Sequence, residues 1–174
     1  QAPAIRGCAA YAVYAMASHD PARALALLSA FFDSDVALHS SEFVCRLIKH
    51  GVHKHLETVR PYVHRLINSA NSDARFHGGI AACLARLYHP AEDELAETAL
   101  TGSAEVRRGA AAVAEGNLLD PKHRPWCEQA LRRLFDDPDE EVRTAAAHCY
   151  WQLWKHPNHS LTDYSHLIEA FLKS

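Results

Sequence analysis

Five short tracts recur along this chain at the spacing of a helix pair. Ile5-Arg6, Val36-Ala37, Ala74-Arg75, Val106-Arg107 and Val142-Arg143 stand 31, 38, 32 and 36 residues apart, and small residues follow each tract three to six positions later. A unit of that length buries only one face of each of its helices. Stability then has to come from stacking each unit on its neighbours, which restricts the chain to a row of similar layers.

The pattern between the tracts is helical. Alanine and leucine recur at helical spacing, sustained alternation is absent, and no Asn-Gly or Asp-Gly pair marks a hairpin. Breaks fall at His19-Asp20-Pro21, Asp33-Ser34-Asp35, Asn68 to Asp73, His89-Pro90, Thr101-Gly102-Ser103, Asp120-Pro121, Asp136-Asp137-Pro138 and His156-Pro157-Asn158. They predict helices near 3–18, 21–32, 35–50, 54–69, 72–88, 91–101, 104–119, 123–136, 139–156 and 161–173. Asp20 before Pro21, Ser103 before Glu105, and Asp137 or Asp139 before Glu140 and Glu141 supply the expected N-caps. Short breaks imply antiparallel neighbours. The expected fold is all-α, a single domain over residues 1–174 of about four and a half helix pairs.

Asp136-Asp137-Pro138-Asp139-Glu140-Glu141-Val142-Arg143 and Ser103 to Ala112 carry a resemblance to the HEAT-repeat family. Units of that family end a first helix in an acidic turn and open the second with Val-Arg and small residues. The segment Ser34 to Ile48 departs from the pattern, having Ala37 where arginine is usual. The resemblance implies a HEAT-like α-solenoid that binds a protein along its concave face. Alanines such as Ala81, Ala82, Ala110, Ala111, Ala145 and Ala146, together with Gly78-Gly79, suit close helix approach. The row opens on a second-type helix and closes on a first-type helix, so an excerpt of a longer array is expected.

Composition narrows the functional classes. A net charge of -3 with a pI near 6.5 gives no global attraction to phosphate backbones or anionic lipid. No stretch approaches the roughly 20 apolar residues of a membrane span. The five cysteines, Cys8, Cys45, Cys83, Cys127 and Cys149, are odd in number and widely spaced, which predicts reduced packing thiols and a cytoplasmic location.

Catalytic and metal signatures are missing. Thirteen histidines include His50, His53 and His55 around Gly51, expected in a loop, and His148, His156 and His159, yet no H-E-x-x-H or E-x-x-H pair occurs. No metal or other cofactor is expected. The His-Glu dipeptides of helical-repeat hydroxylases, G-x-S-x-G and phosphate loops are absent too. The basic groups Arg107-Arg108, Lys122-His123-Arg124 and Arg132-Arg133 sustain a nucleic-acid alternative, similar to the HEAT-like alkylpurine DNA glycosylases, and a helical-repeat lyase is the other competitor. Acids in the same repeats dilute the positive field, and in the HEAT family the Arg107 position pairs internally with acidic turns.

A candidate partner face follows from the positions six, nine and ten residues after the anchors Ile5, Val36, Val106 and Val142. These point away from the apolar stripe. They are Tyr11, Tyr14 and Ala15; Glu42, Cys45 and Arg46; Ala112, Glu115 and Gly116; and His148, Trp151 and Gln152. The expected function is a non-catalytic protein-protein interaction scaffold. Tyr14, Glu42, Arg46, Glu115, His148 and Trp151 are the expected partner-binding residues, with Trp151 the leading anchor.

Overall fold

The computed structural model describes residues 3–34, 36–156 and 161–174, all outside strands. Asp35, Pro157, Asn158 and His159 from the predicted breaks and histidine groups lie outside the described residues. The helices are α1 Pro3–Met16, α2 Pro21–Ala26, α3 Leu28–Ser34, α4 Glu42–Lys54, α5 Leu56–Ile67 and α6 Ser72–Tyr88. They continue as α7 Asp93–Thr101, α8 Ala104–Gly116, α9 Arg124–Phe135, α10 Glu140–Ala147, α11 Cys149–Lys155 and α12 Ser165–Lys173. Leu27 and His148 keep helical backbone angles at the α2/α3 and α10/α11 junctions, so each pair lies within one predicted helix.

Two expectations near the N-terminal half are corrected. Val36–Ser40 forms a 3-10 turn, and α4 starts only after Ser41. The residue pair that opens this helix is therefore Val44-Cys45, the counterpart of Val106-Arg107, and not Val36-Ala37. His50 and His53 are not in a loop either. They lie inside α4, where Gly51 is buried and a Cβ on it would meet Val59 Cγ1 at 2.5 Å.

Capping explains where several helices begin. Asp20 accepts from Arg23 N at 3.0 Å, Asn71 from Ala74 N at 3.0 Å, and Asp139 from Glu141 N and Val142 N at 2.9 and 3.1 Å. Each such cap contributes about 1 kcal/mol. Ser103 occupies its N-cap position without a side-chain bond to the backbone, and Asp137 serves another purpose described below.

The helices opened by the recurrent tracts touch in sequence order: α1 against α4, α4 against α6, α6 against α8, and α8 against α10. The intervening helices α5, α7 and α9 each pack between two members of that row. Between the members run Val44, Ile48, Ala74, Ala81, Ala82, Val106, Ala110, Ala111, Val142 and Ala146, all buried.

The contact of α6 with α8 is the most extensive in the molecule, and glycine is the reason. A Cβ on Gly79 would run into the Val106 carbonyl oxygen, and one on Gly109 into the Phe76 carbonyl oxygen. Gly78 faces the backbone of Leu66 and Ile67 on α5 in the same way. Backbone meets backbone here, with no flexible side chain able to yield.

Arginines then fasten one unit to the next. Arg107 donates through Nε to Asp137 Oδ2 at 2.6 Å and through Nη2 to Oδ1 at 2.9 Å, while its Nη1 donates to the Gly102 carbonyl. Asp137 also accepts from Asp139 N, and its side chain is only 5% exposed, so this bidentate pair is largely shielded from solvent. Arg75 repeats the arrangement, binding Glu105 through Nε and Nη2 and the Ser69 carbonyl through Nη1. In α4, where the arginine is replaced, Cys45 Sγ donates to the His39 carbonyl instead.

A second set joins the other helices: Arg65 to Asp33, Arg60 to Glu92, Arg133 to Glu97, and His166 to Glu128. They link α3 to α5, α5 to the start of α7, α7 to α9, and α9 to α12. These pairs are more exposed, each worth only about 0.2 to 1 kcal/mol.

The glycine contact makes a sharp contrast testable. Gly79→Ala lowers unfolding free energy by about 2 kcal/mol because two backbones must separate. Gly116→Ala has open space around its Cβ and raises stability by about 0.5 kcal/mol through the unfolded chain. Denaturant titration of both variants measures the difference.

Candidate functional site

Position two, six and nine residues after an anchor fall on one helical stripe. In α8 these are Arg108, Ala112 and Glu115 after Val106; after Val142 they are Thr144 of α10, His148 at the α10/α11 junction and Trp151 of α11; in α6 Phe76, Ile80 and the buried Cys83 follow Ala74. A cleft of about 740 Å³ opens along this stripe, lined by Phe76 of α6, Arg108, Ala112 and Glu115 of α8, and Glu140, Glu141, Thr144, Ala145 and His148 around α10. A second, smaller cleft of about 260 Å³ shares Phe76 and Arg108 and adds Ser72, Asp73 and Glu105. The two form an elongated depression across α6, α8 and α10.

Its apolar elements are Phe76, Ala112 and Ala145, and its charge is mainly negative. Arg108 is the guanidinium in the lining, and Glu141 holds it at 2.6 Å. Glu105 is engaged by Arg75, whose hydrogen bonds hold the carboxyl well below the usual range, at about 2. Asp73, Glu115 and Glu140 remain without a cationic partner of the arginine or lysine kind among the described residues. Glu115 is the most enclosed of the three, with its side chain 14% exposed. Its Oε1 lies 3.6 Å from His148 Nδ1, beyond hydrogen-bond reach, and its buried Oε2 has no hydrogen-bond partner among the described residues. Comparison with models of protein families, with curated proteins and with solved structures finds no match.

The six residues expected to bind a partner are distributed over four places. Glu115 and His148 share the cleft. Tyr14 is half-buried between α1 and α4, tilted against Phe43 with ring centroids 6.0 Å apart, while Tyr11 meets the same ring edge-on at 5.0 Å. Glu42 and Arg46 are both exposed and bond to each other at 2.6 Å in the first turn of α4. Trp151, 43% exposed, stacks on Trp154 at 4.8 Å with Lys155 Nζ over its ring, away from the cleft lining. Cys45, expected on the same face, is buried, because the face was counted from Val36 and the helix is in register with Val44.

Phe76, Arg108, Glu140, Glu141, Thr144 and Ala145 complete the lining and were not among the expected partner-binding residues. The expected face begins six residues after each anchor and so leaves out the first turn, where Phe76, Arg108 and Thr144 stand. Counting from two residues after each anchor finds them.

Chemistry of other kinds has little support in the geometry. No group of three or more His, Cys, Asp or Glu converges in metal-binding geometry among the described residues. No helix among them is long and apolar enough to cross a membrane. Burial pushes the thiols of Cys45, Cys127 and Cys149 up to about 12 and that of Cys83 higher still, so all four stay protonated and poor nucleophiles at neutral pH. Cys8 is exposed. A thiol-reactive disulfide reagent titrates one cysteine in the folded protein and five after denaturation; more than one fast-reacting thiol in the native state contradicts the packing.

Proposed function

We propose that this chain is a HEAT-like α-solenoid segment that serves as a non-catalytic protein-interaction scaffold, with the face over α6, α8 and α10 holding the partner. The observation that carries the reading is the elongated cleft. It crosses three successive members of the row, and it collects Ala112, Glu115 and His148 from the face that the repeat pattern singles out. Support for the solenoid comes from the order of contacts, in which each tract-opened helix meets the next, and from ion pairs joining units about thirty residues apart, such as Arg75 with Glu105 and Arg107 with Asp137. The unpaired cysteines fit a reducing compartment, the cytoplasm.

The same ion pairs weigh against the nucleic-acid alternative. Arg107, Arg108, Arg124 and Arg133 are each bonded to a carboxylate, on Asp137, Glu141, Glu128 and Glu97 respectively. A phosphate-binding track needs basic groups whose charge is not already neutralised. A lyase pocket needs a concave cavity that encloses most of its ligand, whereas the depression here is an open groove across three helices.

A photo-reactive phenylalanine analogue at exposed Thr144, on the cleft, tests the reading against the same analogue at exposed Glu94 on α7. Irradiation in native cell extract yields a discrete protein adduct at Thr144 that survives nuclease, and none at Glu94. Adducts that vanish with nuclease, or equal labelling at both positions, contradict it.

A further inference from the structure

Within the groove just described, one group is left in an unusual state. Glu115 is mostly enclosed, lines the cleft, and has one carboxylate oxygen within 3.6 Å of the His148 ring and the other with no hydrogen-bond partner among the described residues. A largely desolvated carboxylate with no arginine or lysine partner is costly to maintain, and a cationic group brought into the cleft beside it lowers that cost. We propose that the cleft receives a lysine or arginine side chain of a cationic peptide segment in the partner protein, with Glu115 as its acceptor. This rests on the reading that the face over α6, α8 and α10 is where a partner docks.

Charge and shape both select that occupant. Glu140 at the rim is exposed and without an ion-pair partner among the described residues, and Asp73 stands in the same condition at the far end of the depression. Arg108 does not cancel them, because its charge is taken up by Glu141 at 2.6 Å. Phe76, Ala112 and Ala145 offer an apolar surface for the methylene stem of a long basic side chain, whose charged end then reaches a carboxylate. The second cleft, joined through Phe76 and Arg108, gives the flanking residues of an extended segment somewhere to lie, with Asp73 available to a second basic residue. An acidic peptide would meet Asp73, Glu115 and Glu140, none of them neutralised by an arginine or lysine among the described residues, and be repelled.

The test uses the full chain, isotopically labelled, and a tetralysine peptide as the probe, with its fully acetylated form as the neutral control. Amide resonances of Ala112, Glu115, Ala145 and His148 shift on titration with tetralysine, and the acetylated peptide binds at least about tenfold more weakly. Glu115→Gln weakens tetralysine binding by about tenfold at unchanged melting temperature, and Glu140→Gln, an exposed position, weakens it by a smaller factor. Shifts spread evenly over the acidic surface, or equal affinity of the wild type and Glu115→Gln for tetralysine, overturn the proposal. If Glu115→Gln does not fold, loss of affinity in Glu140→Gln decides the matter, and its absence overturns the proposal. The cross-link from Thr144 does not depend on Glu115. A persisting protein adduct alongside failed tetralysine binding sinks this inference alone, whereas loss of the adduct sinks the groove itself.

Discussion

Gly79 and Gly109 allow the backbones of α6 and α8 to meet, and that contact sets where one wall of the cleft stands against the next. With any side chain at either place the helices would stand further apart, since the atoms in the way are carbonyl oxygens of Val106 and Phe76. Close approach brings Phe76 of α6 beside Arg108 of α8, so that one depression spans both helices. It also brings Arg75 within reach of Glu105. Packing and electrostatics are therefore two consequences of one steric constraint.

The ion pairs divide into two kinds by their surroundings. Arg107 with Asp137 is shielded, bidentate and joined to backbone groups at Gly102 and Asp139, which makes it a register device as well as an attraction. The pairs on the other helices, such as Arg133 with Glu97 and Arg60 with Glu92, are more accessible and individually weak, and they join α3, α5, α7, α9 and α12 in succession. So many arginines committed to internal acids leave the cleft with carboxylates in excess. The same residues that hold the helices together thus set the sign of the surface they present.

Much of the helical order was legible in the sequence, because Pro and Asp breaks and alanine spacing are local signals. Gly78-Gly79 was legible as well, since a glycine pair inside an alanine-rich helix suits close packing, whereas Gly109 stands in a recurrent tract with nothing local to mark it as a contact. What was not legible depended on register. Val36-Ala37 resembles the other tracts, but the chain spends Val36–Ser40 in a 3-10 turn, and the helix begins at Glu42 with Val44 in the anchor position. That shift put buried Cys45 on the expected surface. Tyr14 illustrates a different gap: its aromatic ring suits an interface anchor or an inter-helix contact equally, and its packing on Phe43 depends on a residue of another helix. Pairs such as Arg133 with Glu97 span 36 residues, and composition alone cannot match them.

The locking of one unit to the next rests on the arginine after the anchor, Arg75 with Glu105 and Arg107 with Asp137. A double-mutant cycle on Arg107→Ala and Asp137→Ala, read by denaturant unfolding, tests it most directly. A coupling energy of about 2 kcal/mol is expected, with each single variant strongly destabilised because its buried partner is left unpaired. Additivity of the two substitutions within about 0.5 kcal/mol would contradict it.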